Sequence, residues 1–424
     1  MANSFSKEER VAFENLLEGF HDALVLSRNV SVYNTDSVMM ERARDTIWRP
    51  MPYIAQSISS TPGSSIAASY QDMTQLAVPA SLGFSRTVPW TMTSLELRDA
   101  LQEGRLGDAA KQKLASDINV QIMNVAANQG SLVVAVSGAA GDYDDVALCD
   151  SIMNEQGVAT EDRYLALSSR DYNGLAGNLA VATRSFFNNN KSVTAYERSY
   201  VGMVAGFETY KLDYANRIAA AAGTVTIDTT GAQAEYVPAA TSTAVGGEIN
   251  VDNRFQTVTV SSTTGVVAGD AFTIDGVEAV HHITKSSTGQ PKTFRVISVD
   301  SATAMTISPP IISGAGGTDA AAQYKNVELP STGAAASLTF LNTGASNINV
   351  FWQKDALELL PGRYAVPSDA GAAVMRASTD QGIELVMQKF YDIDSMTIKY
   401  RLDTLFGVVN KQPEMSGILL FNQP

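Results

Sequence analysis

The sequence predicts an α+β scaffold interrupted by a separate all-β domain. Two N-terminal segments carry apolar residues at three- and four-residue steps, the helical period. Between residues 223 and 345, short Val-, Thr- and Ile-rich runs recur about every ten residues, the spacing of a sandwich or barrel. After Asn349 a mixed pattern resumes, which makes the β-rich block an insertion with its two ends close in space.

From Lys7 to about Ser27, the residues Phe13, Leu16, Leu17, Phe20 and Leu24 form one stripe of a helix, and Glu14 and Glu18 share another face. Trp48 to Trp90 is rich in Pro, Ser, Thr and Gln and holds a Pro62-Gly63 turn. It is too long and polar for an ordinary connection, so it reads as an extended hairpin arm. Leu95 to Glu103 begins a helical region that Gly104 and Gly107 are expected to break. Asp108 would then cap a long spine helix whose buried stripe is Leu114, Ile118, Ile122 and Val125, with Gly130 as a left-handed C-cap.

Ser131 to Gly138 reads as a short buried strand. Helices are expected at Asp145–Asn154 and Ser169–Leu179, with strands at Tyr164–Leu167 and around Gly206. In the insertion, TVTID, RFQTVTV, AFTIDGVEAV, TFRVISV and AMTISPP are the strand candidates, and Asp275-Gly276 carries a two-residue hairpin signal. Toward the C-terminus, Ile383, Leu385 and Met387 alternate, as do Met396, Ile398, Tyr400 and Leu402, marking long strands that return to the first core.

Composition narrows the function. The chain has 424 residues, enough for two or three domains. Only 17% are charged, so polar residues or subunit contacts must cover the surface. A formal charge of −14, with no basic stripe interleaved with aromatics, disfavours direct nucleic-acid binding. Cys149 is the single cysteine, so no intrachain disulfide forms, which is compatible with a reducing compartment. The acidic N-terminus is unlike a signal peptide, and no run approaches the roughly 18 apolar residues of a membrane span. A soluble protein is expected.

Catalytic and metal constellations are missing. His281 and His282 are adjacent in an expected strand, so their side chains would diverge. His21 has no ligand partner at useful spacing. No G-x-S-x-G is present, and Gly314–Gly317 lacks the third glycine and helix of a dinucleotide site. SGAAGDYDD lacks a P-loop lysine, so Asp142 or Asp144 is expected to cap a helix. Asp142, Asp144, Asp145 and Asp150 lack calcium-loop spacing. No cofactor and no catalysis are expected, and a structural role remains.

Several stretches carry a resemblance: DTIWRP (45–50), LELRDAL (95–101), NVAANQGSLVV (124–134), SSRDYNGLAGNL (168–179), VAGFETY (204–210), NVDNRFQTVTVSSTTG (250–265) and NVFWQKDAL (349–357). In this order they resemble the major capsid proteins of tailed bacteriophages, of Hong Kong 97-type fold. Among these, the chain is most similar to coat proteins of short-tailed Salmonella and Shigella phages with an inserted β-domain. The resemblance implies an N-terminal arm at 1–45, an extended E-loop at 46–92 and a peripheral domain with the spine helix at 93–134. It places an axial domain at 135–222 and 346–381, an all-β barrel at 223–345, and returning strands at 382–424.

It also implies a homo-oligomer of pentamers and hexamers that encloses double-stranded DNA in an icosahedral virion. Such a shell would be assembled in the bacterial cytoplasm with a scaffolding protein, carry a portal protein at one vertex, involve no membrane, and mature by expansion. Glu14 and Glu18 match acidic positions that meet a basic scaffolding segment. Glu248, Asp252 and Arg254 fall where the family has its inter-capsomer loop. Trp48 and Arg86 are the E-loop contact candidates, and Gly104 and Gly107 the candidate hinge. The alternative is another virion or surface component, such as a tail protein or adhesin.

Overall fold

The computed structural model describes residues 7–33, 46–51, 55, 61–67, 70, 72–93, 100–181, 197–212, 214, 216–228, 235–244, 247–315, 317–329, 335–364 and 373–423. The chain divides into two compact units, one of residues 1–47, 79–125 and 357–409, the other of 48–78, 126–356 and 410–424.

In the first unit, helix α1 (Lys7–Ala23) buries Phe13, Leu16 and Phe20 and exposes Glu14 and Glu18, as its periodicity requires. Strands Glu384–Asp392 and Thr397–Asn410 form the centre of a six-stranded sheet, paired through Val386 and Asp403. Phe84–Thr93 lies along the other side of Thr397–Asn410, with Trp90 opposite Tyr400. Their rings stack at 5.4 Å, a cross-strand aromatic pair.

Helix α2 (Ala100–Gln129) is 30 residues long and unbroken. The expected interruption at Gly104 and Gly107 is therefore absent, and Asp108 lies inside the helix. Gly107 has a packing reason instead: a Cβ there would stand 3.2 Å from Leu16 Cδ1, so its absence lets α1 approach. Leu114, Ile118 and Ile122 are buried and Val125 half-buried. Gly130 is also corrected. It is not left-handed; a Cβ would meet Ala126 O at 2.8 Å and Gly417 N at 3.1 Å, so close backbone approach is what demands glycine.

The second unit holds two large sheets with separate cores. The first runs in the order Leu132–Ala135, Ser416–Leu420, Asn349–Gln353, Arg163–Ser168, Phe207–Leu212, Met203–Val204. Helices α3 (Tyr143–Glu155) and α4 (Ser169–Val181) supply Val146, Cys149, Met153, Tyr172 and Leu175 to its core, beside Leu165, Phe207, Phe351 and Leu419. Asp142 caps α3 in a reciprocal box with Asp145, whose carboxylate accepts the Asp142 N–H at 3.1 Å.

The second sheet is the inserted domain. Its strands are β1 (Thr226–Asp228), β2 (Gln256–Thr259), β3 (Ala271–Val280), β4 (Ser287–Ser301), β5 (Ala304–Ser308), β6 (Val327–Glu328) and β7 (Ala335–Phe340). They pair in the order β1-β7-β3-β4-β5-β2, with β6 on β3. Ile227 bridges Val260, and Ser261 N–H donates to Thr226 O at 2.9 Å, which joins the two edges into a barrel. Phe272, Phe294, Val296, Met305, Ile307 and Phe340 fill it. The neck is a two-stranded ladder, Ile218 opposite Ser346 and Arg217 opposite Asn347, so the insertion's ends are adjacent as expected.

Asp275-Gly276 makes no hairpin. Strand β3 continues through it, and the register jumps from Thr273↔Thr293 to Glu278↔Pro291 with Gly276 at φ 76°. The signal marks a bulge, in which Gly276 takes the left-handed conformation that glycine adopts without strain. His281 and His282 lie just beyond β3 in a turn, not in a strand. A five-residue helix, α5 (Asp319–Gln323), was not expected in this domain.

Candidate assembly surfaces and the anchor of the inserted domain

The sequence-derived candidates lie in very different environments. Glu14 and Glu18 are exposed on α1, presented by the same spacing that buries its apolar stripe. Trp48 and Arg86 are half-buried, on strands Thr46–Pro50 and Phe84–Thr93. The Pro62-Gly63 turn is present, closed by Ser64 N–H to Thr61 O at 3.0 Å with Gly63 at φ 85°. Residues 52–54, 56–60, 68, 69 and 71 of the arm, and residues 94–99 before α2, lie outside the described residues.

The loop candidates split into two groups. Glu248 belongs to a hairpin of Thr241–Ala244 and Gly247–Asn250, opposite Thr243. Asp252 and Arg254 pair with each other instead: Arg254 Nε donates to Asp252 Oδ1 at 2.9 Å and Nη2 to Oδ2 at 2.7 Å. Arg254 Nη1 donates to Asn410 O at 2.8 Å, and the guanidinium lies over the Phe255 ring. With 7% exposure, Arg254 is occupied inside its own chain. This bidentate fork is the strong form of an ion pair.

One constellation escaped the sequence reading. Lys292, on β4, points out of the barrel and is 1% exposed. Its ammonium donates to Gln156 Oε1 at 2.8 Å, just past the end of α3, and to Glu414. His282 Nε2 stands 3.2 Å from Glu414 Oε2, and Asn326 Nδ2 donates to Oε1 at 3.2 Å. Thr293 Oγ1 donates to Ser131 O at 2.9 Å. Burial alone would raise the Glu414 pKa; His282 and Lys292 outweigh it and hold the carboxyl well below its usual range. Lys285 lies beside this cluster, and desolvation pulls its pKa down to about 8. A lysine between Pro291 and Thr293 in a barrel strand was the available signal.

Catalytic geometry is not assembled among the described residues. His281 Nδ1 is taken by the Ile283 and Thr284 N–H groups at 3.2 Å, closing its turn. Cys149 is buried and its thiol pKa is pushed up by desolvation and then by Asp145 and Asp150, so it is not an activated nucleophile. No group of metal-ligating side chains occurs among the described residues, nor a helix long and apolar enough to cross a membrane.

The family described as "P22 coat protein - gene protein 5" matches residues 1–422. The chain belongs to this family. It is thus a major coat protein of P22 type, a structural component of a tailed-phage virion capsid, built into a shell of many copies. The coat protein's inserted domain is similar to the CUS-3 coat protein I-domain, at 43% identity over 28% of this chain and 96% of that one, with a TM-score of 0.22. Other solved structures that the chain is similar to have lower identity. Mycobacterium phage Che8 has 9% identity over 94% of this chain and 91% of that chain, at TM-score 0.45. The mature capsid of bacteriophage PhiM1 has 12% identity over 100% and 89%, at TM-score 0.41.

In chain order the coat protein's described elements are helix α1, the strands between Thr46 and Thr93, helix α2, the mixed sheet with α3 and α4, the inserted barrel and the returning strands Glu384–Asn410. What the coat protein's geometry does chemically is hold, not react. The Lys292–Glu414–His282 cluster ties the inserted barrel to the mixed sheet's flank through buried charges, and the neck ties it through backbone bonds.

Proposed function

We propose that this coat protein forms the pentamers and hexamers of an icosahedral shell, co-assembled with a scaffolding protein and interrupted at one vertex by a portal. The shell encloses double-stranded DNA without specific binding, consistent with the net charge of −14. It assembles in the host cytoplasm and matures by expansion. The observation that carries the scaffold contact is the exposed Glu14/Glu18 pair on a helix whose opposite face is buried. Four residues apart on one face, they present two carboxylates to a basic segment.

The arm bearing Trp48 and Arg86 contacts a neighbouring copy by strand addition. Glu248 is the remaining acidic candidate for contact between capsomers, with Asp252 and Arg254 shaping the base of its loop. Gly104 and Gly107 serve as a hinge within a continuous helix, since each interior glycine weakens it by about 1 kcal/mol relative to alanine. Individual contacts of only a few kcal/mol let misplaced subunits leave, and multivalency makes the closed shell stable.

The test is co-expression with a basic scaffolding partner followed by electron microscopy and scaffold quantification. Wild type should yield closed shells containing scaffold. Glu14→Lys with Glu18→Lys should cut scaffold content several-fold while leaving the monomer's circular dichroism unchanged. Undiminished incorporation would remove these residues from the contact.

A further inference from the structure

The base of the arm lies along the inserted domain of its own chain. The Asp72 N–H donates to Asp319 Oδ2 at 3.0 Å, and the Thr74 N–H donates to Gln323 Oε1 at 3.0 Å. Tyr324 Oη donates to Thr74 O at 2.9 Å. Two residues on, Leu76 is buried with Ile312 and Tyr324, flanked by Met51 and Tyr236. Ala77 then forms a parallel bridge to Asp252, the residue that Arg254 grips.

We infer that α5, Tyr324 and Ile312 form a clamp that holds the arm's base in cis. All three side-chain bonds reach main-chain groups of the arm, so the clamp reads an extended backbone rather than particular side chains. Leu76 supplies the buried apolar anchor, with Met51 of the arm packed beside it, and burial of such side chains is the dominant favourable term. The clamp in turn sits next to the buried cluster: Asn326, two residues past Tyr324, donates from Nδ2 to both Pro310 O and Glu414. A cavity of about 40 Å³ lined by Met51, Leu76, Arg254, His282, Tyr324 and Glu414 lies where arm, barrel and C-terminal segment converge. The inserted domain therefore fixes where the arm departs. This gives Asp252 and Arg254 a structural duty within one subunit. The consequence for shells rests on the arm reading above; the clamp itself is a property of one chain.

Hydrogen exchange on the full-length monomer tests it. Gln323→Ala with Tyr324→Phe removes one acceptor and one donor while keeping the ring. The amides of residues 72–77 should exchange at least tenfold faster, with amides at Phe272 and Phe294 unchanged. Equal exchange at 72–77 would overturn the clamp. Because the double variant could also loosen the domain, a second measurement uses Leu76→Cys with Ile312→Cys and a short thiol-to-thiol crosslinker; Cys149 is buried and does not compete. An intrachain product in both monomer and shells is expected. Interchain products alone would show that the groove receives a neighbour's arm, and the cis assignment would fall even if shells formed normally.

Discussion

The inserted barrel and the mixed sheet of the parent domain solve the same problem in opposite ways. The barrel takes its strands from one continuous stretch and joins its own edges through Ile227 and Val260. The mixed sheet draws strands from 132–135, 163–168, 207–212, 349–353 and 416–420, and Val350 sits between Ala166 and Ile418. One is locally sufficient; the other exists only after distant segments meet. Loop closure has to be supplied before such pairings are rewarded, so the barrel should form first and the parent sheet later.

Cutting the two apart gives the largest expected effect. Residues Gly223–Ala345 expressed alone should give a dispersed, β-rich NMR spectrum, because the core of Phe272, Phe294, Val296, Ile307 and Phe340 comes entirely from within them. A collapsed spectrum would mean that the neck and anchor complete the barrel, and the contrast would vanish.

The anchor comes next. Glu414→Leu leaves the Lys292 ammonium buried with Gln156 as its remaining hydrogen-bond partner among the described residues, and breaking such a pair costs about 3–5 kcal/mol. Lys292→Met with Glu414→Leu should recover most of that loss, since a well-packed apolar pair replaces a buried ionic one at little cost. The pH dependence has a definite sign. Glu414 has a folded-state pKa depressed below its ordinary 4.5, so its contribution is fully present above that value and is lost as pH falls below it. The stability gap between wild type and Glu414→Leu should therefore narrow below about pH 4.5 in denaturant titrations. A gap independent of pH would mean that the carboxylate is not what holds the anchor.

Truncating each core sharpens the contrast. Phe272→Ala and Phe351→Ala both delete a fully buried ring, at about 3–5 kcal/mol each. Phe272→Ala should speed exchange within β3, β4 and β7 alone, because its ring partners are Phe294 on β4 and Phe340 on β7. Phe351→Ala should loosen strands as far apart in sequence as Leu165 and Gly417, its register partners. Identical exchange patterns would show one cooperative unit rather than two.

Legibility follows the same division. Barrel strands were readable because turn residues and alternation are local, and α1 was readable because its burial repeats at the helical period. Sequence distance hid the rest. Nothing near Lys292 announces Glu414, 122 residues on. Residue preference also misled where two structures share one requirement: Asp-Gly serves a type I′ hairpin or a bulge such as this one, since both place the glycine at a positive φ. The glycines of α2 read as breaks because propensity was visible and packing was not; Leu16 against Gly107 overrode the roughly 1 kcal/mol of lost helix preference. Among the candidate sites, the exposure of Glu14 and Glu18 followed from periodicity, whereas the enclosure of Arg254 depends on Asn410 and could not.

The smallest effect probes the edge of the anchor, where the barrel carries a charge it does not need. Lys285 is half out of solvent at φ 56°, and burial lowers its pKa from 10.5 to about 8, against the opposing pull of Glu414. Below pH 8 both folded and unfolded chains are protonated, and the folded chain bears the cost of the desolvated ammonium. Between pH 8 and 10.5 the folded state sheds that proton while the unfolded state keeps it, so wild-type stability rises through this window. Lys285→Met keeps the aliphatic bulk, loses the bond to Lys325 O, and should gain on the order of 1 kcal/mol at pH 7. The gain should fade as the wild type is titrated toward pH 10.5. A variant less stable than wild type at pH 7 would show that the amine's attraction to Glu414 outweighs its desolvation, making Lys285 part of the anchor rather than a burden beside it.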